Sequence, residues 1–145
     1  MVSLNLPEIN YNIRKNKGNV EIFDIIRRKF VVLTPEEWVR QHFIHFLINE
    51  REYTRGLMRV ESSLEYNKRI KRSDILIYDR HGQPYLLVEC KTYQRPITQA
   101  AMTQAAVYNK TLKARYLVIT NGLKHYCAER IGESIEQLKD IPFAK

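Results

Sequence analysis

Cysteine is scarce. The chain has two, Cys90 and Cys127, with no Cys-x-x-Cys pair and no Cys/His cluster at zinc spacing, so a zinc-held fold is not expected. The start, residues 1–19, lacks the apolar core of a signal peptide, and no apolar run approaches membrane-spanning length; the expectation is a cytoplasmic protein with no membrane partner. A Gly-x-x-x-x-Gly-Lys-Ser/Thr phosphate loop is missing, so no nucleotide-driven motor is expected. Repeats, low-complexity segments and long linkers are missing too, which points to one domain over residues 1–145. Acid is short relative to base: 24 Lys and Arg face 16 Asp and Glu, a net charge of +8 and a pI near 9.6. That balance favours a polyanionic partner, most simply nucleic acid, the alternative being a basic protein that engages none.

What is present centres on residues 72–91. Two β-rich apolar runs, Ile75–Tyr78 and Tyr85–Val88, flank a polar turn containing His81-Gly82, the pattern of a β-hairpin. With His81-Gly82 as a two-residue turn, Tyr78 pairs with Tyr85, Leu76 with Leu87 and Asp74 with Glu89; a three-residue turn would shift that register. Alternation puts Glu89 and Lys91 on one face and turns Cys90 into the core. Asp74 and Glu89 would then stand about 5 Å apart, repelling by about 3 kcal/mol at an effective dielectric near 20. Protonation of one acid, a nearby cation, or a divalent metal would relieve this. Lys91 supplies one charge on the same face, and Mg²⁺ (or Mn²⁺) suits a site of carboxylates, water and phosphate oxygens. A solvated, inert carboxylate pair is the other reading.

The rest of the chain frames this stretch. Tyr11–Arg14 and Val20–Asp24 around Asn16-Lys17-Gly18-Asn19 predict an N-terminal hairpin, followed by Phe30–Leu33. Thr34-Pro35-Glu36-Glu37 starts a helix running to about Asn49, with Val39, Phe43, Phe46 and Leu47 as its apolar stripe. Trp38 reads as core and not a ligand contact, and His42 and His45 read as helix-surface or core residues and not as ligands. Met58–Leu64 reads as a strand containing Glu61. The connector Asn67–Arg72 is basic, and Lys68, Arg69, Lys71 and Arg72 are either solvated charges or phosphate contacts. Arg40 carries the same two readings. A second helix is expected from about Ile97 to Leu112, with Ala101, Ala105, Tyr108 and Gln104 on its sheet-facing side. Tyr116–Thr120 should be a buried strand running parallel to a core strand after a right-handed crossover. Asn121-Gly122 turns the chain back into His125–Ala128, and Ile131–Leu138 reads as a short terminal helix.

The run Thr34–Gln41, then Glu61, Arg72-Ser-Asp74, Leu87-Val-Glu89-Cys-Lys91, Gln104-x-x-x-Tyr108 and Thr120-Asn-Gly122 resembles the PD-(D/E)XK nuclease superfamily. Within it, the order and spacing are similar to the RecB-like nuclease domain at the N-terminus of type I restriction enzyme restriction subunits, over roughly Thr34 to Glu129. The resemblance implies an α/β fold with a restriction-endonuclease-like core. A mixed central sheet flanked by helices, in αβββαβ order, would span residues 34–130. An N-terminal β extension (1–33) and a C-terminal helix and tail (131–145) would complete it. It implies metal ligation by Asp74, Glu89 and the Cys90 carbonyl, with Lys91, Gln104 and Tyr108 as catalytic partners. Glu61 would flank the site by the resemblance; read by itself it is a solvated strand residue. Glu37 is either a capping-box carboxylate bonding back to Thr34 or, by the resemblance, a first-helix acid near the metal.

Three functions are then open. The first is a metal-dependent DNA phosphodiesterase of restriction type, an endonuclease, acting alone, as a homodimer, or with a motor or specificity chain. The second is a non-cleaving nucleic-acid-binding or assembly module that keeps the nuclease fold and needs a partner. The third is a basic scaffold with no nucleic-acid role.

Overall fold

The computed structural model describes residues 2–60, 64–66, 69–71 and 75–145, with only the backbone of 64–66 and 69–71 described. Asp74, Glu61, Lys68 and Arg72 therefore lie outside the described residues, as do the side chains of Arg69 and Lys71.

The chain opens with β1 (Ile13–Asn16), β2 (Asn19–Asp24) and β3 (Lys29–Val32), an antiparallel three-stranded sheet of its own. The expected hairpin is present, with each outer strand shifted by one or two residues. Lys17 and Gly18 both take positive φ, 51° and 84°, between the paired Asn16 and Asn19. That is the two-residue turn whose twist matches paired strands. Helix α1 (Pro35–Arg51) follows, its Thr34 hydroxyl accepting from the Glu37 N–H, as the Thr-Pro-Glu-Glu start predicts.

After a 3-10 turn at Arg55–Leu57 come β4 (Met58–Arg59), the paired short strands β5 (Leu64–Tyr66) and β6 (Arg69–Lys71), β7 (Ile75–Tyr78) and β8 (Pro84–Cys90). Helix α2 (Gln99–Leu112), capped by Thr98, leads to β9 (Tyr116–Thr120), β10 (His125–Ile131) and β11 (Ser134–Leu138). The main sheet has the order β11-β10-β9-β8-β7-β4. Only β8 and β9 pair in parallel; the other neighbours are antiparallel. This is the expected mixed sheet, with αβββαβ connectivity through α1, β4, β7, β8, α2 and β9.

Alternation along the central strands sends side chains to two cores. Ile75, Ile77, Leu86, Val88 and Cys90 join Val39, Phe43, Ile44 and Leu47 of α1. Leu76, Leu87, Leu117 and Ile119 join Ala105 of α2. Each fully buried Leu, Ile or Phe removes apolar area worth roughly 1.5–3 kcal/mol, so the β7–β8 pair is pinned from both sides. Asn109 closes the end of α2, its amide donating to the Ala114 carbonyl and accepting from the Ala114 N–H.

Two expectations are corrected. The turn between β7 and β8 is not the two-residue His81-Gly82. Asp79 closes a three-residue loop, its N–H donating to the Gln83 carbonyl and its side chain accepting from the His81 and Gln83 N–H groups, with Gly82 at φ 80°. Tyr78 consequently pairs with Pro84, not Tyr85. A bulge then absorbs the extra residue: Ile77 pairs with Leu86, Leu76 with Leu87 and Ile75 with Val88. The longer turn and the bulge cancel, so the inner register is the expected one. Residues 134–138 form a strand, not a helix. Ile131, Ile135 and Leu138 have helical spacing, but Gly132 (φ 62°) and Glu133 make a two-residue turn that pairs Ile131 with Ser134. A segment this short gains more from pairing with the open edge of β10 than from an isolated helix.

The N-terminal extension packs on α1 and does not extend the main sheet. The Trp38 indole donates to the Val2 carbonyl at 2.9 Å, and Tyr11 meets the Trp38 ring edge-on. Asp24, fully buried, accepts from the backbone N–H groups of Ile26 and Arg27 and from the Arg27 guanidinium at 2.6 Å. Burial opposes its ionisation, but these donors outweigh burial and hold its carboxyl below the usual range. Asp24→Ala should cost about 3 kcal/mol in urea unfolding, since it strands two N–H groups and removes one of the two carboxylate partners of Arg27. Because the folded pKa is depressed, the native chain holds this stability above the ordinary carboxylate range and loses it as pH falls through the folded value. Among the described residues, no helix is long and apolar enough to cross a membrane.

Candidate active site

The end of β8 carries the acid and the cation. Leu87 faces the α2 side and Cys90 the α1 side, so alternation sets Glu89 and Lys91 together on the α2 side. The Lys91 ammonium lies 3.7 Å from a Glu89 oxygen, with the Glu89 side chain 14% exposed and that of Lys91 41%. This contact is looser than a hydrogen bond. A nearly buried carboxylate therefore sits beside a half-exposed ammonium that can reach an incoming group. Among the described residues, no three His, Cys, Asp or Glu side chains gather as a metal site.

The neighbouring strand fixes this segment. Glu89 lies opposite Ile119 and Cys90 opposite Thr120, and the Lys91 N–H donates to the Thr120 carbonyl at 2.8 Å. Beyond β9, the Asn121 amide donates to the Arg95 carbonyl, tying down the loop after Lys91, while its oxygen accepts from the Leu123 and Lys124 N–H groups. The Thr120 hydroxyl accepts from the Gly122 N–H and lies 2.6 Å from His125 Nδ1. His125 Nε2 is 3.0 Å from the Asn5 carbonyl. With Nε2–H donating to Asn5, the Thr120 hydroxyl donates to Nδ1, and every partner is satisfied by a neutral ring. Burial lowers the His125 pKa, the Asn5 bond opposing it. His125 thus serves as a brace. Asn121-Gly122 reads in the sequence as a turn and as part of the family resemblance; its grip on residues 95 and 5 is long-range and has no local signature.

Gly122, at φ 84°, has a backbone conformation that favours glycine, and a Cβ there would stand 2.8 Å from Leu4 Cδ2 and 3.1 Å from Val39 Cγ2, so both side chains would have to shift. The Asn5 N–H also donates to the Gly122 carbonyl. The N-terminal segment, α1 and the ends of β8 and β9 therefore meet at one end of the sheet.

The remaining expected residues lie on the two helices. On α2, Ala105 and Asn109 are buried, Tyr108 is half-buried against the Leu76–Leu87 core, and Gln104 is exposed at the margin of the buried stripe. On α1, Glu37 is buried. One of its oxygens accepts from Arg27 at 3.0 Å and Arg40 at 2.5 Å, and the other from Gln41 at 2.8 Å. Arg40 also reaches Glu36 at 3.4 Å. Glu37 and Arg40 are thus partners in a buried network that joins β2, the β2–β3 turn and α1.

Residues 35–142 match the family described as type I restriction enzyme R protein N terminus. No curated protein matches the chain. Among solved structures, a chain described as a fragment of a type I restriction enzyme HsdR subunit from Vibrio vulnificus is similar in fold, with a TM-score of 0.55 and 21% identity. The match covers 77% of this chain and 24% of that one.

Proposed function

This chain belongs to the family of type I restriction enzyme R protein N-terminal domains, and from that premise we propose that it is a metal-dependent DNA phosphodiesterase with its reacting centre at the end of β8. The observation that carries the reading is Glu89 and Lys91 side by side, 3.7 Å apart, on the α2 side of a buried strand. The inner β7–β8 register is compatible with it: Ile75 pairs with Val88, and under this reading the pairing would continue by one step to bring Asp74 opposite Glu89.

The proposed donors, the Asp74 and Glu89 carboxylates and the Cys90 carbonyl, are hard oxygens that suit Mg²⁺ or Mn²⁺. Bound there, the ion would polarise a phosphate oxygen and acidify a water. Lys91 holds its positive charge next to the phosphate oxygens as negative charge accumulates on them, and orients the attacking water. Tyr108 and Gln104 steady Lys91 or hold a phosphate. Lys68, Arg69, Lys71 and Arg72 supply phosphate contacts. Glu37 is left out of the metal set because both its oxygens already accept from Arg27, Arg40 and Gln41. Arg40 goes with it. DNA is the substrate under this reading, and a second copy or a motor or specificity chain is the partner.

The alternative is a module that binds DNA and leaves cutting to an assembly. It is favoured by one fact: the match spans 24% of the longer HsdR chain. A cleavage screen decides. Purified protein with Mg²⁺ should cut plasmid or single-stranded DNA, and chelation by EDTA should reduce the rate to background. Intact DNA in Mg²⁺ and in Mn²⁺, with salt-sensitive binding retained, would favour the module.

A further inference from the structure

We propose that the ribbon formed by β1 and β2 is an arm that grips the phosphate backbone of duplex DNA beside the reacting centre. The choice of DNA rests on the nuclease reading above; the surface itself does not. Residues 11–20 contain Arg14, Lys15 and Lys17 and no Asp or Glu. All ten of these residues are exposed. The two carboxylates elsewhere in this three-stranded sheet are already committed, Glu21 to Arg14 and Asp24 to Arg27. On the ribbon, Lys15 and Lys17 have no carboxylate partner among the described residues, and neither do Arg28 and Lys29, which lie beyond the other end of β2, at the ribbon's base. Cations left unneutralised on an exposed ribbon present a site for a polyanion.

The ribbon is stiff and well rooted. Four residue pairs and a two-residue turn with positive φ at both positions hold it. The Arg14 guanidinium lies 4.0 Å over the Phe30 ring, bracing β1 against β3. At its base, Arg27 bonds Glu37 and Tyr11 packs on Trp38. The preceding segment runs back to β9 through Asn5 and Gly122, and β9 holds the Lys91 backbone. The arm therefore springs from the same end of the sheet as Glu89 and Lys91. Its paired length, roughly 13 Å at strand rise, is comparable to the width of the major groove, which admits a two-stranded ribbon. Ile13 and Val20 are exposed on it as well, so a protein partner is the competing occupant, but a run of cations with no acid favours phosphate.

The test is binding of a short duplex oligonucleotide in EDTA across a salt series, read by anisotropy. K15A/K17A should lower the slope of log K against log salt by about 2, with affinity falling roughly 10- to 100-fold near 0.1 M salt. K139A/K145A, which removes the same charge elsewhere, should leave the slope unchanged, and both variants should keep the native unfolding midpoint. An unchanged slope in K15A/K17A would overturn the arm, whether or not the native chain cleaves, as would a native chain that binds no duplex. Loss of a protein partner with the DNA slope intact would also overturn it. A reduced slope in a chain that never cuts in Mg²⁺ would keep the arm and reject the nuclease.

Discussion

Lys91→Ala should reduce DNA cleavage by about 10²- to 10³-fold, the usual loss when one preorganised donor to a transition-state charge is removed. The fold should survive. The Lys91 side chain is 41% exposed and its ion contact with Glu89 is long, at 3.7 Å, so truncation should change stability by less than about 1 kcal/mol. The backbone bond from Lys91 to Thr120 does not depend on the side chain. Lys91→Arg separates a placed charge from mere positive charge. A guanidinium is planar and longer, and cannot occupy the ammonium's position, so Arg should restore little activity. Measured single-turnover rates with unchanged circular dichroism and duplex binding would support this role. A Lys91→Ala protein that cuts at the native rate would remove Lys91 from the chemistry.

Glu89→Gln should be as damaging to cleavage, by about 10³-fold or more, and should show a signature in stability as well. The substitution keeps shape and removes one charge from a nearly buried position. If Asp74 stands across from Glu89 as proposed, two carboxylates about 5 Å apart repel by about 3 kcal/mol at an effective dielectric near 20. Lys91 and solvent reduce that to about 1 kcal/mol. Without divalent ions, Glu89→Gln should therefore melt about 3 °C higher than the native chain. With Mg²⁺ the order should reverse, because only the native chain gains stability from binding. A variant that melts lower in EDTA and still responds to Mg²⁺ would mean that Glu89 is held by other partners and is no ligand.

Much of this arrangement is legible in the sequence because it is local. Thr34-Pro35 begins a helix, the threonine hydroxyl accepting from the Glu37 N–H, and the apolar runs at 75–78, 85–88 and 116–120 pair as their β-branched character suggests; Thr98 caps α2 as well, so the helix begins at Gln99 and not at Ile97. Residues 131–138 mislead because spacings of four and three fit a helix equally well, and only the edge of β10 decides. The bulge at Tyr85 leaves no trace in composition, yet it rescues the register that the three-residue turn would have shifted. Gln104 falls within the α2 pattern but at its margin, where a one-position rotation of the helix separates buried from exposed. The partners of Glu37 are the least legible. Arg27 reaches it from a separate strand turn, and no periodicity links the two. The same holds for Asn5, bonded to the β9–β10 turn and to His125 of β10, and for Val2, bonded to Trp38 of α1, which make the N-terminal segment part of the site's scaffold.

The central claim, that Asp74 and Glu89 share a divalent ion, is tested most directly by calorimetric titration of Mn²⁺ into the native, Asp74→Asn and Glu89→Gln proteins. The account predicts one saturable site in the native chain and its loss in each variant alone. Native-like Mn²⁺ binding in either variant would contradict it.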